Sequence, residues 1–596
     1  MKPSIRFFIL VFLAIIVLIS SIQMSKIPLW GYLPLVLFAS TLAFWRILRL
    51  HKFSKLPNSK TLLALSTLSG FLLSLSFLMP YPFFLTIFVG FVPLLWVEKH
   101  LSQNGKISIW ENFKFAFHTF VVWNILTTYW VANSAFVPGI IAIFANSFLM
   151  SIPYLLFHIA KNKLKNNWIG LFSLVTFWLS FEFIHLRWEI SWPWLTLGNG
   201  LAGCTQLVQW YEYTGVPGGS LWILLINILI YRFSVTYVRF KPLKIVDKYR
   251  NSAVILSLAI FLPMLFSVFL YHKFDVTKSD KTAEVVVVQP NFEPHYEKFT
   301  VTENEQLDKF FRLSTQQVSE KTDYLLFPET SFDRINVRML GKLGITVLLQ
   351  NYALNNNKLH IVTGLDAYKI LTDGEISTSA TRISKNEQIR WEAYNGAAQF
   401  VSDSSQIVPF YKKSKLVPGA ELLPFGDLLS FLKPFFRSFG GSIEGCGTQE
   451  NRSVFWNKEK GIAIAPIICY ESIYGEYVGE YVKNGANTLF IMTNDGWWDD
   501  TDGYRQHLRF ATLRAIETRR EIARSANTGT SCFINARGDL FQNTKYGTDA
   551  AIKQTLNLYF NKTFYVTYGD FISRIANIFS LIILAIVIFV IFKKLL

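Results

Sequence analysis

Apolar residues are unevenly distributed along this chain. Up to about residue 271 they fall into runs broken by short polar stretches, and one more run closes the sequence. A transmembrane helix needs about 20 predominantly apolar residues. By that measure spans are predicted near 7–22, 29–47, 61–79, 82–98, 113–131, 138–160, 168–186, 217–231, 252–271 and 572–592, the eighth being short. Residues 1–57 form a first pair of spans, 58–271 the main helical region, and 571–596 a closing helix.

Residues 272–570 have the mixed pattern of a water-soluble domain. Ala283 to Gln289 (AEVVVVQ) predicts a buried strand, Val301 to Glu320 an exposed helix, and Asp323 to Phe327 (DYLLF) a second strand. Gly461 to Cys469, Asn487 to Thr493 and Ser531 to Asn535 read as strands, with a helix from about Tyr504 to Arg524. Strands alternating with helices argue for an α/β layered domain.

Charge orients this arrangement. Of the 58 lysines and arginines, 19 lie in the alternate loops 1–6, 46–60, 99–114, 161–166 and 232–250. The loops between them hold only Lys26 and Arg187. Cytoplasmic loops carry the positive excess, so the N-terminus is expected inside and residues 272–570 outside, with Lys593 and Lys594 ending the last helix inside. The formal net charge of +17 is thereby explained by membrane orientation, not by a nucleic-acid partner. Met1 to Ile22 has the basic and apolar regions of a signal peptide, but no A-x-A-like site follows, so an uncleaved anchor is expected.

Two membrane features stand out. The outer loop 187–216 holds Trp188, Trp192, Trp194, Trp210, Tyr211 and Tyr213, which fit either an interface anchor or a wall guiding lipid toward the soluble domain. Glu182 falls within an apolar span, where a carboxylate is a functional candidate, yet close enough to the helix end to snorkel.

The four cysteines, Cys204, Cys446, Cys469 and Cys532, show no CxxC and no metal-ligand spacing. Three stretches each place a reactive residue just after a strand: Phe327-Pro328-Glu329-Thr330, Tyr411-Lys412-Lys413-Ser414-Lys415-Leu416-Val417-Pro418 and Ile467-Ile468-Cys469-Tyr470-Glu471. A thiol is weakly ionised at neutral pH and needs a nearby base or cation to become a ready nucleophile. Taken singly, Cys469 reads as a buried strand residue, Lys413 as part of a basic turn, and Glu329 as a helix N-terminal charge. Their order, Glu, Lys, Cys, gives them a joint meaning. His507 reads as a structural hydrogen bonder, and Cys446 and Cys532 lack comparable contexts.

That order resembles the nitrilase, or carbon-nitrogen hydrolase, superfamily, and the apolar spans around the domain resemble its membrane branch, the apolipoprotein N-acyltransferases. The likeness runs from about residue 60 to the end. Further landmarks are Val288-Gln289-Pro290, Tyr394-Asn395, Thr493-Asn494-Asp495-Gly496-Trp497-Trp498, Gln506-His507, Arg514-Ala515-Ile516-Glu517 and Asn527-Thr528-Gly529. Pro294-His295-Tyr296-Glu297-Lys298-Phe299 resembles a segment that often ends in Lys-Trp, so Phe299 keeps the aromatic contact without the indole. Leu416-Val417-Pro418-Gly419-Ala420-Glu421 departs from the commoner Leu-Val-Pro-Phe-Gly-Glu but keeps Glu421 eight residues after Lys413.

The resemblance implies an αββα nitrilase domain on the periplasmic side of a bacterial inner membrane, acting as a monomer without metal or cofactor. Cys469 is the implied nucleophile, Glu329 the base, Lys413 the oxyanion stabiliser, and Glu421 a second carboxylate for Lys413 or the incoming amine. Tyr470 and Glu471 are expected to shape the pocket, with Asn395, Trp497 and Phe299 in support. The implied reaction moves an acyl chain from a phospholipid, through a thioester, to the α-amine of a lipoprotein's diacylglyceryl cysteine. The alternatives are a membrane-tethered amidase using water and a transporter with an outer sensor domain. Ten spans exceed a tether's need, and the spans lack paired repeats or a row of intramembrane charges.

Overall fold

The computed structural model describes residues 54, 56, 58–103, 109–164, 166–239, 246–276, 279, 281–294, 297, 300–356, 359–384, 389–402, 407–426, 431 and 445–593. The two spans expected before residue 57, and Phe299, lie outside these.

The helical region contains α1 (Ser59–Leu78), α2 (Val92–Gln103), α3 (Ile109–Thr128), α4 (Phe136–Leu164), α5 (Asn167–His185), α6 (Tyr211–Arg239) and α7 (Val246–Lys273). The soluble domain adds fourteen strands: β1 (Thr282–Gln289), β2 (Tyr324–Leu326), β3 (Phe332–Asn336), β4 (His360–Ile370), β5 (Arg382–Ile383), β6 (Arg390–Phe400), β7 (Phe410–Lys412), β8 (Phe455–Asn457), β9 (Ile462–Ile468), β10 (Thr488–Thr493), β11 (Ile522–Ala526), β12 (Cys532–Ile534), β13 (Leu540–Phe541) and β14 (Ala550–Asn557). Its longer helices are α8 (Glu303–Ser314), α9 (Ile345–Asn355), α10 (Gly475–Lys483) and α11 (Asp502–Thr518), and the chain returns to apolar helix in α12 (Phe571–Phe592).

Among the described residues, seven helices are long and apolar enough to cross a membrane. Helix α3 covers the span expected at 113–131 only as far as Thr128, opens on the more polar Ile109-Trp110-Glu111 turn, and packs between α1 and α4. The span expected to be short, 217–231, is longer than its apolar core. Helix α6 runs on both sides of it, bending at Gly215 (φ 61°), where a Cβ would strike the ring of Tyr565.

Two sheets form the soluble domain. One runs β14-β1-β2-β4-β6-β5, with β3 added beside β4 and β7 beside β6, and the other runs β13-β12-β11-β10-β9-β8. The unbroken valine run of β1 reflects burial on both faces. Val285 and Val287 meet Ile464, Ile467 and Phe490 between the sheets, whereas Val286 and Val288 meet Leu307 and Phe310 of α8. Helices α10 and α11 pack on the second sheet through Tyr481, Val482, Ala511 and Ala515. The result is the αββα sandwich that the resemblance implied.

The helix expected from Tyr504 to Arg524 stops early. Thr518 is its last residue, because Arg519 turns left-handed (φ 48°) and Ile522–Ala526 becomes β11, parallel to β10. The helix expected over Val301 to Glu320 is also shorter, beginning where Thr302 and Glu305 form a reciprocal capping box.

The two halves share a core. Tyr470, Ile473, Tyr474, Phe510, Leu513 and Ile516 of the soluble domain are buried with Trp130, Trp178, Trp194 and Tyr211 of the helical region. Arg187 pairs with Asp570 at 2.6 Å and Arg519 with Glu212 at 2.7 Å across the same junction. Glu182 neither snorkels nor meets the cavity described below. It is buried, accepting hydrogen bonds from Leu197 N (2.8 Å) and Trp178 Nε1 (3.0 Å).

Candidate active site

Glu329, Lys413 and Cys469 line one cavity of about 440 Å³. Each sits just beyond a strand. Glu329 follows β2, and its backbone crosses β4 so closely that a Cβ on Gly364 would lie 2.6 Å from Glu329 Cα; only glycine fits there. Lys413 follows β7, its N–H donating to Asn395 O at 2.8 Å. Cys469 leaves β9 in a left-handed conformation (φ 46°) that begins a 3-10 turn through Ile473.

The polar side chains are tightly paired. Lys413 Nζ donates to Glu329 Oε1 at 3.0 Å and Glu421 Oε1 at 2.8 Å, and Asn395 Nδ2 donates to the same two oxygens at 2.7 and 2.9 Å. Val417 N fixes the other oxygen of Glu421 at 2.8 Å. Burial disfavours the Lys413 ammonium, but the Glu329 and Glu421 carboxylates outweigh it and hold the group well above its ordinary value. Burial and the charge of Glu329, against the pull of Lys413, push the Cys469 thiol well above the ordinary thiol range. Both effects favour the protonated form of the Cys469 thiol, and the Glu329 charge is close enough to act on it.

Tyr470, Trp497 and Asn395 line the cavity. Glu471 does not. It is wholly buried behind the nucleophile, where Oε1 accepts from Tyr411 Oη (2.6 Å), Tyr477 Oη (2.5 Å) and Ser414 N (2.7 Å), and Oε2 accepts from Ile468 N (2.9 Å). Its carboxylate ties the residue after Lys413 to the residue before Cys469. Arg452 braces both tyrosine hydroxyls from the far side.

A second buried network underlies Cys469. His507 Nε2 lies 2.9 Å from Ser472 Oγ and 3.2 Å from Cys469 O, and its Nδ1 lies 3.0 Å from Asp495 Oδ1. Arg524 donates to Asp495 Oδ2 at 2.6 Å. Burial would raise the Asp495 carboxyl, but Arg524 and His507 hold it down to about 2. His507 is thus the hydrogen bonder that the sequence suggested; Asp495 stood out only as part of the Thr493-to-Trp498 landmark, without a role, and Arg524 only as the expected end of a helix.

The cavity continues from Cys469 into the helical region. Pro138, Gly139, Ala142, Ala145, Asn146 and Leu149 line it along one face of α4, together with Trp130, Trp192 and Trp194. From Pro138 to Leu149 is roughly 16 Å of helix at 1.5 Å per residue. Trp192 and Trp194 therefore wall the cavity, whereas Trp210 and Tyr211 are core residues. Small residues on an apolar helix are common at helix contacts, so the sequence alone did not distinguish this groove from packing.

A glutamate, a lysine and a strand-end cysteine gathered over an αββα sandwich define a nitrilase-type site. Residues 277–558 match the carbon-nitrogen hydrolase family, and residues 69–229 match the apolipoprotein N-acyltransferase N-terminal domain. The chain is 26% identical to an apolipoprotein N-acyltransferase of Chlorobaculum tepidum over 86% of its own length and 93% of the relative's. It is 26% identical to that of Geobacter metallireducens over 88% and 95%. A solved nitrilase-superfamily structure from Saccharomyces cerevisiae covers 48% of this chain and 92% of its own, with 14% identity and a TM-score of 0.32. The chain belongs to the apolipoprotein N-acyltransferase family.

Proposed function

We propose that this multi-pass membrane protein moves a fatty acyl chain from a phospholipid to the N-terminal amine of a lipoprotein, through a thioester on Cys469. The observation that carries this reading is the single cavity joining Cys469, Lys413 and Glu329 to an apolar groove on α4. Relatives named apolipoprotein N-acyltransferases along nearly their whole length support the substrate class. The loop charge asymmetry supports placing residues 272–570 on the periplasmic face of the inner membrane.

In the first half-reaction Glu329 takes the Cys469 proton as sulfur attacks the ester carbonyl carbon. Lys413 Nζ stabilises the oxyanion, a contribution whose loss costs about 2.7–4 kcal/mol for a single donor. The C–O bond breaks, Glu329 returns the proton to the departing lysophospholipid oxygen, and a thioester remains. In the second half, the acceptor arrives as an ammonium, releases one proton, and attacks as the free amine. Glu329 takes the next proton as the C–N bond forms, and that proton goes to sulfur as the C–S bond breaks. Both substrates are lipid-anchored, so a site opening along α4 meets them without extraction into water.

Protein incubated with phospholipid but no acceptor should gain the mass of one acyl group on Cys469, removable by neutral hydroxylamine. A diacylglyceryl-cysteine peptide with a free amine should discharge it, and the same peptide with a blocked amine should not. An adduct on another cysteine, or ordinary turnover by Cys469→Ser, would overturn the mechanism, and rapid discharge by water alone would favour an amidase.

A further inference from the structure

Three segments that carry side chains of the site come to rest on one short stretch of the helical region, Leu186 to Ser191, just after α5. The turn that begins at Cys469 reaches it through two tyrosines. Tyr470 Oη donates to Ser191 O at 2.7 Å, and Tyr474 Oη shares a 2.7 Å hydrogen bond with Ser191 Oγ. The residues after Lys413 reach it through Lys415, whose Nζ donates to Leu186 O at 3.1 Å and lies 4.8 Å from the centre of the Tyr474 ring. The loop after Glu421 reaches it through Phe425 N, which donates to Glu189 Oε2 at 2.5 Å.

Several bonds fix that stretch itself. Helix α5 ends with Leu186 N bonded back to Glu182 O and Arg187 N to Ile184 O. Arg187 then pairs with Glu476 of α10 and with Asp570 at the head of α12. Trp188 Nε1 donates to His185 Nδ1 at 3.0 Å, and beyond Ser191 the Trp194 indole donates to Gln506 Oε1 at 2.7 Å. Ser191, Tyr470 and Tyr474 are all buried, so their hydrogen bonds are made away from competing water. Burial first, then the Arg187 and Arg452 charges, push the Lys415 ammonium below its ordinary value. A charge is thus kept in an unfavourable place, where the Leu186 carbonyl and the Tyr474 ring meet it.

Glu471 already joins the Lys413 and Cys469 segments from behind, through Ser414 N and Ile468 N. A tie on that side alone leaves the opposite ends of both segments free to pivot. Lys415 and the Tyr470–Tyr474 turn are those opposite ends, and both are held by the same few residues of the helical region.

Resting on the acyl-transfer reading above, we propose that Leu186 to Ser191 is a platform through which the helical region sets the spacing of Lys413 and Cys469, with Ser191 and Lys415 as positioning residues. The soluble domain then carries the glutamate, the lysine and the cysteine but not the surface that spaces them. Ser191 also lines the cavity, so its loss must be read on lipid affinity as well as on rate.

The test uses full-length Ser191→Ala, Tyr474→Phe, Lys415→Met and their pairwise doubles. Single-turnover thioester formation from phospholipid should fall about tenfold in each single variant with lipid affinity unchanged, since a misplacement of about 1 Å can cost up to 10²-fold. Ser191→Thr, which keeps the hydroxyl, should restore the rate. Ser191→Ala and Tyr474→Phe remove the two ends of one bond, so their double should be no slower than either single. Ser191→Ala and Lys415→Met loosen one spacing from both sides, so their double should fall well short of the loss of about a hundredfold that independent effects would give. Near-original rates in Ser191→Ala and Lys415→Met, weakened lipid affinity in place of slowed chemistry, or that full hundredfold loss would each overturn the proposal. Amide hydrogen exchange gives a readout free of catalysis. It should quicken over residues 469–474 in Ser191→Ala and over 413–417 in Lys415→Met, with the rest of the soluble domain unchanged. Unchanged exchange in both segments, or quickening throughout the domain, would refute the platform. If the unaltered protein forms no thioester, the acyl-transfer reading fails, while the exchange pattern still decides the platform.

Discussion

Glu471→Gln tests how the catalytic segments are held. The substitution keeps the volume and removes the charge of a carboxylate that accepts four hydrogen bonds. If the glutamine oxygen stays on Tyr411, Tyr477 and Ser414, its NH₂ confronts the Ile468 N–H across 2.9 Å; if the amide turns, it confronts the Ser414 N–H across 2.7 Å. One buried backbone donor is orphaned either way, at about 1–3 kcal/mol, and the surviving bonds lose charge assistance worth about 1 kcal/mol each. Relief from burying a charge offsets part of this, since burial pushes the Glu471 carboxyl upward, leaving a net loss of roughly 2–4 kcal/mol. Because the lost bond joins the Lys413 segment to the Cys469 segment, their spacing loosens, and a misplacement of about 1 Å can cost 10²-fold in rate. Single-turnover thioester formation should fall about 10²-fold with phospholipid affinity retained. Tyr477→Phe removes one hydroxyl and spares both backbone bonds, so its acylation rate should stay within about tenfold of the original. Acylation by Glu471→Gln near the original rate, or equal damage from Tyr477→Phe, would refute this account.

Two further perturbations probe the electrostatics and the groove. Glu329→Gln removes a charge that raises the Cys469 thiol pKa while Lys413 remains to favour the thiolate. At pH 9 alkylation of Cys469 by iodoacetamide, followed by mass, should therefore quicken even as lipid thioester formation falls by orders of magnitude, and slower alkylation would contradict that sign. Ala142→Phe and Ala145→Phe insert a ring into the α4 face of the cavity. Acylation from long-chain phospholipids should drop about tenfold more than from short-chain ones, and an equal drop for both would show that the groove does not hold the acyl chain.

The legible parts of the fold were those with an uninterrupted local cause. The valine run of β1 and the apolar helices α4, α5 and α12 announce themselves because each side chain's fate follows from its neighbours within a turn or two. The end of α11 did not, because Ile522-Ala523-Arg524 prolongs an acceptable helical pattern. What stops it is pairing with β10, more than thirty residues earlier, together with a left-handed Arg519 that no glycine signals. The length of α6 escaped for the converse reason. Arg232, Ser234 and Thr236 break an apolar run without breaking a helix.

The site divides along the same line. Glu329, Lys413 and Cys469 were legible through their order and the strands before them, since a reactive residue at a strand end can be recognised from a few residues of context. Glu471 was visible beside Cys469 but assigned to the pocket, and its clamp became apparent only when Tyr411 and Ser414, 60 and 57 residues away, were brought to it. Asn395 was less legible still. It was noted only within Tyr394-Asn395, and the pairing of β6 with β4 and β7 is what brings its amide to Glu329 and Glu421. Local sequence therefore identifies the groups that make and break bonds, while the groups that space them depend on strand pairing, which one sequence leaves open.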